Sequence, residues 1–194
     1  MSTTARAANA RTEARRDRLI DAAQAVFARE GLRGASMERI AAEAGVARAT
    51  AYAYFSDKED AFRQVASRLA EQMAQRVQAE LARSEPLALR IRAALQAKHE
   101  MVFRVARQSP FAADLFAAKD RLAGPAFVDA EKHIVAALAA SLAELGIADP
   151  RATAHVLHAA STGVANAAQD LATLTVQLAL FVDAMLGGLE SQRS

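Results

Sequence analysis

Residues 36–62, SMERIAAEAGVARATAYAYFSDKEDAF, constrain this chain more than any other stretch. Ser36 stands where a hydroxyl accepts an unpaired backbone N–H at a helix start, and Glu38 follows where the helix dipole favours negative charge. Ile40, Ala41 and Ala44 give that helix an apolar face. Gly45 supplies the left-handed residue that a helix stop needs, and Val46 plugs the corner. A second helix is expected from about Ala47 to Phe55. Ser56 to Glu59 then reads as a capping box, Ser56 and Glu59 satisfying each other's backbone donors and starting a third helix. Two helices joined by a short Gly turn form a helix-turn-helix, whose second helix suits the major groove.

On a wheel of about 100° per residue, Ala51 and Phe55 face the small domain's own core. Ala49 and Ala53 face outward, Thr50 and Tyr54 flank one edge, and Arg48 and Tyr52 flank the other. Two methyl groups on the outward ridge allow close approach and contact with thymine methyls. Hydroxyls at Thr50, Tyr52 and Tyr54 can donate to phosphates, and Lys58 can hold another phosphate at the start of the next helix. Ser36 joins this set of candidate DNA contacts. Arg48 is the one long donor on the second helix, suited to a bidentate contact with guanine or to a plain phosphate contact.

Residues 15–62 resemble the DNA-binding domain of the TetR family of bacterial transcriptional regulators. The resemblance rests on Ala22-Ala23, Phe27 and Gly31, then Ile40-Ala41, Ala44-Gly45-Val46, Thr50, Tyr52, Tyr54-Phe55 and Lys58-Glu59. It implies an all-α chain of about nine helices, with a three-helix reading domain over 15–62 and an effector-binding and dimerisation domain over 63–194. It also implies a sequence-specific transcriptional regulator, a repressor released from a palindromic operator by a small molecule. In the family the matching Thr, Tyr and Lys positions commonly contact the DNA backbone. Two positions depart from the pattern. Ala47 stands where Ser is frequent, which removes a cap worth about 1 kcal/mol, and Ala51 stands where a larger aliphatic is usual.

Composition agrees with a helical chain. Its 194 residues are 53% hydrophobic and include only four Pro and eight Gly, and no segment alternates as a half-buried strand does. The absence of Cys excludes disulfides, thiolate catalysis and zinc fingers. No apolar run is read as reaching membrane-spanning length, and Met1–Arg16 lacks the apolar stretch of a signal peptide, so a cytoplasmic protein without a membrane partner is expected. Nine Arg against six acids over residues 1–55 contrast with a net charge of +2 for the whole chain. Residues 1–14 read as a flexible basic arm. Arg15, Arg16 or Arg18 is expected to meet DNA, with Arg6 left open.

Beyond the reading domain, Leu174, Val176, Leu178, Leu180, Phe181, Val182, Met185, Leu186 and Leu189 make the last helix apolar on nearly every side. Such a helix must be covered on nearly every side. With a small-residue ridge at Ala160, Gly163 and Ala167 on the preceding helix, it predicts a two-fold homodimer through the last two helices. An effector pocket is expected from Lys98, His99, Val102, Phe103, Phe111, Phe116, Phe127 and Glu131, with Met101 nearby. Lys98 and His99 lie at the margins of an apolar stripe and Glu131 near the middle of another, where charge is expensive unless paired or ligand-bound. Three readings stay open: snorkelling to water, a Lys98–Glu131 pair, or a pocket for a largely apolar effector with one polar or charged end. His155 and His158 have a metal-compatible spacing without a third ligand, and favour a surface or interface role. No Ser/His/Asp set, carboxylate pair or phosphate loop stands out, so neither a cofactor nor an enzyme is expected.

Overall fold

The computed structural model describes residues 3–191, with side chains described from residue 9 and omitted at 106–108, Glu190 and Ser191. Within them lie nine helices and no strand: α1 (Thr3–Gly34), α2 (Met37–Glu43), α3 (Arg48–Tyr52), α4 (Lys58–Leu81), α5 (Leu87–Gln108), α6 (Ala112–Leu122), α7 (Gly124–Ala143), α8 (Pro150–Ala167) and α9 (Leu171–Ser191). They form two compact units. One runs up to Leu69 and includes Val105–Gly124; the other is Ala70–Arg104 with Pro125 onward. The division therefore falls between Leu69 and Ala70 of α4, beyond residue 62, and α6 joins the amino-terminal unit, because α6 packs on α1.

The first unit is built on Leu19, Val26, Phe27, Ile40, Ala51, Phe55 and Phe62, all buried. Phe27 and Phe62 meet edge to face, with centroids 5.4 Å apart at 73°, the arrangement that ring quadrupoles favour. The backbone of α1 turns sharply at Gly31, whose φ of 67° is left-handed. The expected flexible arm over 1–14 is helical from Thr3 in this structure. Its Ala- and Arg-rich sequence has high helix propensity, although residues 9–18 stay exposed along their length. The side chain of Arg6 lies outside the described residues.

In the second unit Val77, Ile91, Leu95, Ile134, Leu138, Leu142, Leu157 and Val182 form one buried cluster. Ala168, Leu174 and Leu178 form another, with Phe103, Val164, Ala165 and Leu171 packed against it. Asp149 caps α8 by accepting from Ala152 N–H, with Pro150 in the first turn. α8 stops at Ala167, and Asp170 accepts from Thr173 N–H at the start of α9. One expectation fails here: Leu171–Leu189, 19 residues, is long and apolar enough to cross a membrane. The lone Asp183 does not interrupt it enough. Leu174, Leu178, Val182 and Leu186 bury one stripe of this helix, while Val176 and Leu180 remain 59% and 65% exposed.

Candidate nucleic-acid interface

Helix α2 is set by its two ends. Ser36 Oγ accepts from Arg39 N–H at 3.3 Å, so the predicted cap is present and this hydroxyl is committed to it. At the other end Val46 N–H reaches Ala41 O at 3.0 Å and Gly45 N–H reaches Ala42 O at 3.1 Å. That pair of bonds, closed by Gly45 at φ 65°, is the Schellman stop that only a residue free to adopt a left-handed backbone makes cheaply. The chain leaves it in the direction that starts α3.

Regular helix in α3 covers only Arg48–Tyr52, shorter than the expected span to Phe55. The last turn tightens, Tyr54 N–H bonding Ala51 O at 3.1 Å while Phe55 N–H keeps the helical bond to the same carbonyl at 3.0 Å. Ala47 makes no side-chain cap. Ala51 and Phe55 are fully buried, and Arg48, Ala49, Tyr52 and Ala53 are exposed, with Thr50 and Tyr54 half-buried. The expected faces are therefore realised, and one small surface presents two methyls flanked by a guanidinium and a phenol.

Arg48 is held before any ligand arrives. Its Nη2 lies 2.7 Å from Glu38 Oε1, and its guanidinium carbon sits 5.4 Å from the Tyr52 ring centroid, within cation–π range. The Glu38 carboxyl is held below its ordinary range by its own backbone N–H first, then by the Ser36 hydroxyl, with Arg48 adding to the effect. The anion that holds Arg48 is thus itself stabilised as an anion.

Two residues expected to meet DNA make bonds within the chain in this structure. Lys58 Nζ donates to Arg33 O and Ala35 O, both at 3.2 Å, and so caps carbonyls at the end of α1. Arg16 donates through Nε and Nη2 to Gln64 Oε1 at 3.3 and 3.0 Å. Gln64 Nε2 in turn donates to Tyr54 O at 3.2 Å. Gln64, which sequence reasoning did not single out, therefore ties α1 to the end of the reading helix. The capping box is also displaced by one residue. Asp57 Oδ1 accepts from Asp60 N–H at 2.7 Å and Asp60 Oδ2 accepts from Ser56 N–H at 2.9 Å. Asp57 is a strong cap for a helix that starts at Lys58, and Glu59 instead meets Arg121 of α6 at 3.2 Å.

The expected effector residues are divided between the two units. Phe111 and Phe116 belong to the first unit and the others to the second. Val102 and Glu131 are exposed, Phe103 packs in the smaller apolar cluster, and Phe127 packs against the larger one. Glu131 therefore takes the solvent-facing alternative and makes no ion pair with Lys98 among the described residues. Lys98 and His99, by contrast, are only 5% exposed each. Neither snorkels, because their positions on α5 face α8. Lys98 Nζ donates to Thr162 Oγ1 at 3.2 Å, and His99 Nε2 lies 3.0 Å from Ser161 Oγ. Burial brings Lys98 down to about 8, with Glu131 opposing. Burial, then Lys98 and His158, bring His99 down to about 3. Among the described residues no group of three His, Cys, Asp or Glu is placed to hold a metal ion.

Residues 19–65 match the profile of bacterial regulatory proteins of the tetR family. No curated protein sequence matches the chain significantly. Among solved structures, a TetR-family transcriptional regulator from Pectobacterium atrosepticum is 25% identical, with coverage of 93% of this chain and 96% of that one and a TM-score of 0.67. A Mesorhizobium loti protein described as a TetR-family regulator is 24% identical, covering 92% and 98%, with a TM-score of 0.71. SmeT, the repressor of the Stenotrophomonas maltophilia multidrug efflux pump SmeDEF, is 20% identical over 89% of each chain, with a TM-score of 0.61. Residues 19–65 thus belong to the tetR family of bacterial regulatory proteins, and the chain as a whole has the fold of that family's solved regulators.

Proposed function

We propose that this protein is a sequence-specific transcriptional repressor that binds a palindromic operator as a homodimer and leaves it when a small molecule binds. The observation that carries the reading is the outward surface of α3. Arg48, Ala49, Tyr52 and Ala53 are exposed on one side while Ala51 and Phe55 anchor the other. Such a ridge enters a major groove without backbone obstruction, methyls against thymine and Arg48 exchanging Glu38 for a guanine edge. Thr50, Tyr54 and the helix-capping groups around Ser36 fix register on phosphates.

Dimerisation through α8 and α9 supplies the second reading head that a palindrome requires. Val156, Val176 and Leu180 are exposed on these helices, and the position where a Gly163 Cβ would stand is open beyond its own helix, so a second pair of helices can approach closely. Operator DNA places such a protein in the cytoplasm. The test is enrichment of duplexes from a random pool by the purified chain, followed by the same selection with candidate ligands present. A two-fold symmetric consensus that is lost on adding ligand is the expected result. Recovery of no common sequence overturns the reading.

A further inference from the structure

Between the two apolar clusters of the second unit lies a polar layer that the fold leaves electrically incomplete. Along α5, Leu95 belongs to the larger cluster and Phe103 to the smaller, with Lys98 and His99 between them. Along α8, Leu157 belongs to the larger and Val164 and Ala165 to the smaller, with Ser161 and Thr162 between them. Both hydroxyls spend their single proton on one acceptor, the His158 carbonyl, at 2.8 and 3.1 Å. Their oxygens are left to accept, Thr162 from Lys98 Nζ and Ser161 from His99 Nε2–H. Every side chain that α5 sends into this layer is therefore a donor, and none of the layer's residues is an anion.

An ammonium carries three protons to donate, and among the described residues Lys98 has one hydrogen-bond partner, a neutral hydroxyl at 3.2 Å. It makes no ion pair among the described residues, although only 5% of it is exposed. Glu131 of α7 acts on it from the exposed side without touching it. On α8, His158 Nε2 is buried with no hydrogen-bond partner among the described residues. Buried cations are ordinarily paired, and buried ring nitrogens ordinarily satisfied. Two such exceptions, on facing helices in one layer, point to a missing partner.

We infer that the α5–α8 layer is the head-group site for an apolar organic monoacid, its carboxylate received by Lys98 Nζ and His158 Nε2 and its hydrocarbon lying in the adjoining apolar cluster. The inference rests on the effector reading above and gives it a chemical class. A single negative charge matches the single ammonium, because His99 is kept neutral by burial and by Lys98. A dianion would bury a second, unmatched charge. Thr162 positions Lys98 for the carboxylate, and Leu95 and Leu157, one turn away on each helix, belong to the larger apolar cluster that the hydrocarbon would join.

The test is calorimetric titration of the full chain with sodium octanoate, with methyl octanoate as the uncharged match in shape. Octanoate is expected to saturate at one per chain, and Lys98→Met to weaken it by about tenfold or more while leaving the ester's weak binding unchanged. Equal binding of acid and ester, or octanoate binding untouched by Lys98→Met, overturns the site. In the unmutated chain, the His158 ring nitrogen resonances are expected to move as octanoate is added; resonances that stay fixed overturn it independently of any variant's folding. Operator release is read separately. A neutral compound that frees the DNA while octanoate fails to bind sinks the acid site and leaves the effector reading standing. Octanoate bound through Lys98 without any effect on DNA supports the site and sinks the effector reading.

Discussion

Asp114, at the start of α6, accepts the backbone N–H of Leu32 through Oδ2 at 3.0 Å, across 82 residues of sequence. Leu32 follows Gly31, where the left-handed backbone breaks the helical ladder and leaves that donor without a partner. Arg33 Nε approaches the other carboxylate oxygen at 3.4 Å, and Ser109 Oγ donates to Ala28 O at 2.7 Å. The end of α1 is thus completed by the segment around α6 rather than by its own neighbours. This is why α6 belongs with the amino-terminal unit.

Replacing Asp114 by Ala leaves the part-buried Leu32 N–H unmet, at a cost of about 1–3 kcal/mol. Asp114→Asn keeps an acceptor oxygen and is expected to lose less. Urea denaturation of the full chain measures both. Equal midpoints for Ala and the unmutated protein would remove Asp114 from the account of why α6 sits in this unit.

The turn at residues 41–46 was legible in the sequence because its chemistry is local. Ser36 and Gly45 each act within one helical turn of where they stand. The faces of α3 were legible for the same reason, since periodicity alone separates Ala51 from Ala49. What escaped were the contacts that need tertiary placement. Lys58 finds carbonyls 23 and 25 residues away, Arg16 finds Gln64 across 48, and Asp114 finds Leu32. A helical wheel also placed Lys98 and His99 on the margin of a stripe, and only the position of α8 turns that margin into an interior.

Arg48 and Glu38 form the pair on which base selectivity depends. Arg48→Ala is expected to cost about 1–3 kcal/mol at one base position and to relax selectivity there. Equal weakening for every duplex would make the contact a phosphate contact instead. Glu38→Gln frees the guanidinium, so binding to random duplex is expected to strengthen relative to operator. Fluorescence anisotropy against operator and scrambled duplex, at one fixed salt concentration, reads both outcomes.

Acid and alkali should act on the α5–α8 layer in defined windows. His99 ordinarily titrates near 6.5 and is held at about 3 in the fold, and His158 at about 4. The unfolded chain therefore binds protons that the folded chain refuses, and stability falls as pH drops from about 6.5 toward those values. Lys98, at about 8 against an ordinary 10.5, reverses the usual alkaline trend. From about 8 to 10.5 the unfolded chain alone holds its proton, so this residue's contribution rises with pH. Glu131 on α7, His99 beside it and His158 on α8 are the groups that act on it or on its neighbours. Melting curves of the unmutated chain and Lys98→Met across pH 7 to 11 should diverge in that window, the unmutated chain gaining relative to the variant. Parallel curves would show that Lys98 titrates as an exposed lysine does.

The last prediction concerns the exposed faces of α8 and α9. Leu180 is 65% exposed, Val176 59% and Val156 58%, an apolar surface that water would not reward a single chain for keeping. Beyond its own stretch of helix, Gly163 meets no atom within 4 Å of where a Cβ would stand. A bulky residue there fits a lone protomer and obstructs only an approaching helix. Gly163→Leu and Leu180→Glu are therefore expected to yield monomers by sedimentation velocity with their helical circular dichroism intact. Each should also lose operator affinity, because one reading head alone spans half a palindrome. Variants that remain dimeric would move the interface away from these two helices. A monomer that still held the full operator as tightly would break the link between pairing of chains and recognition of the site.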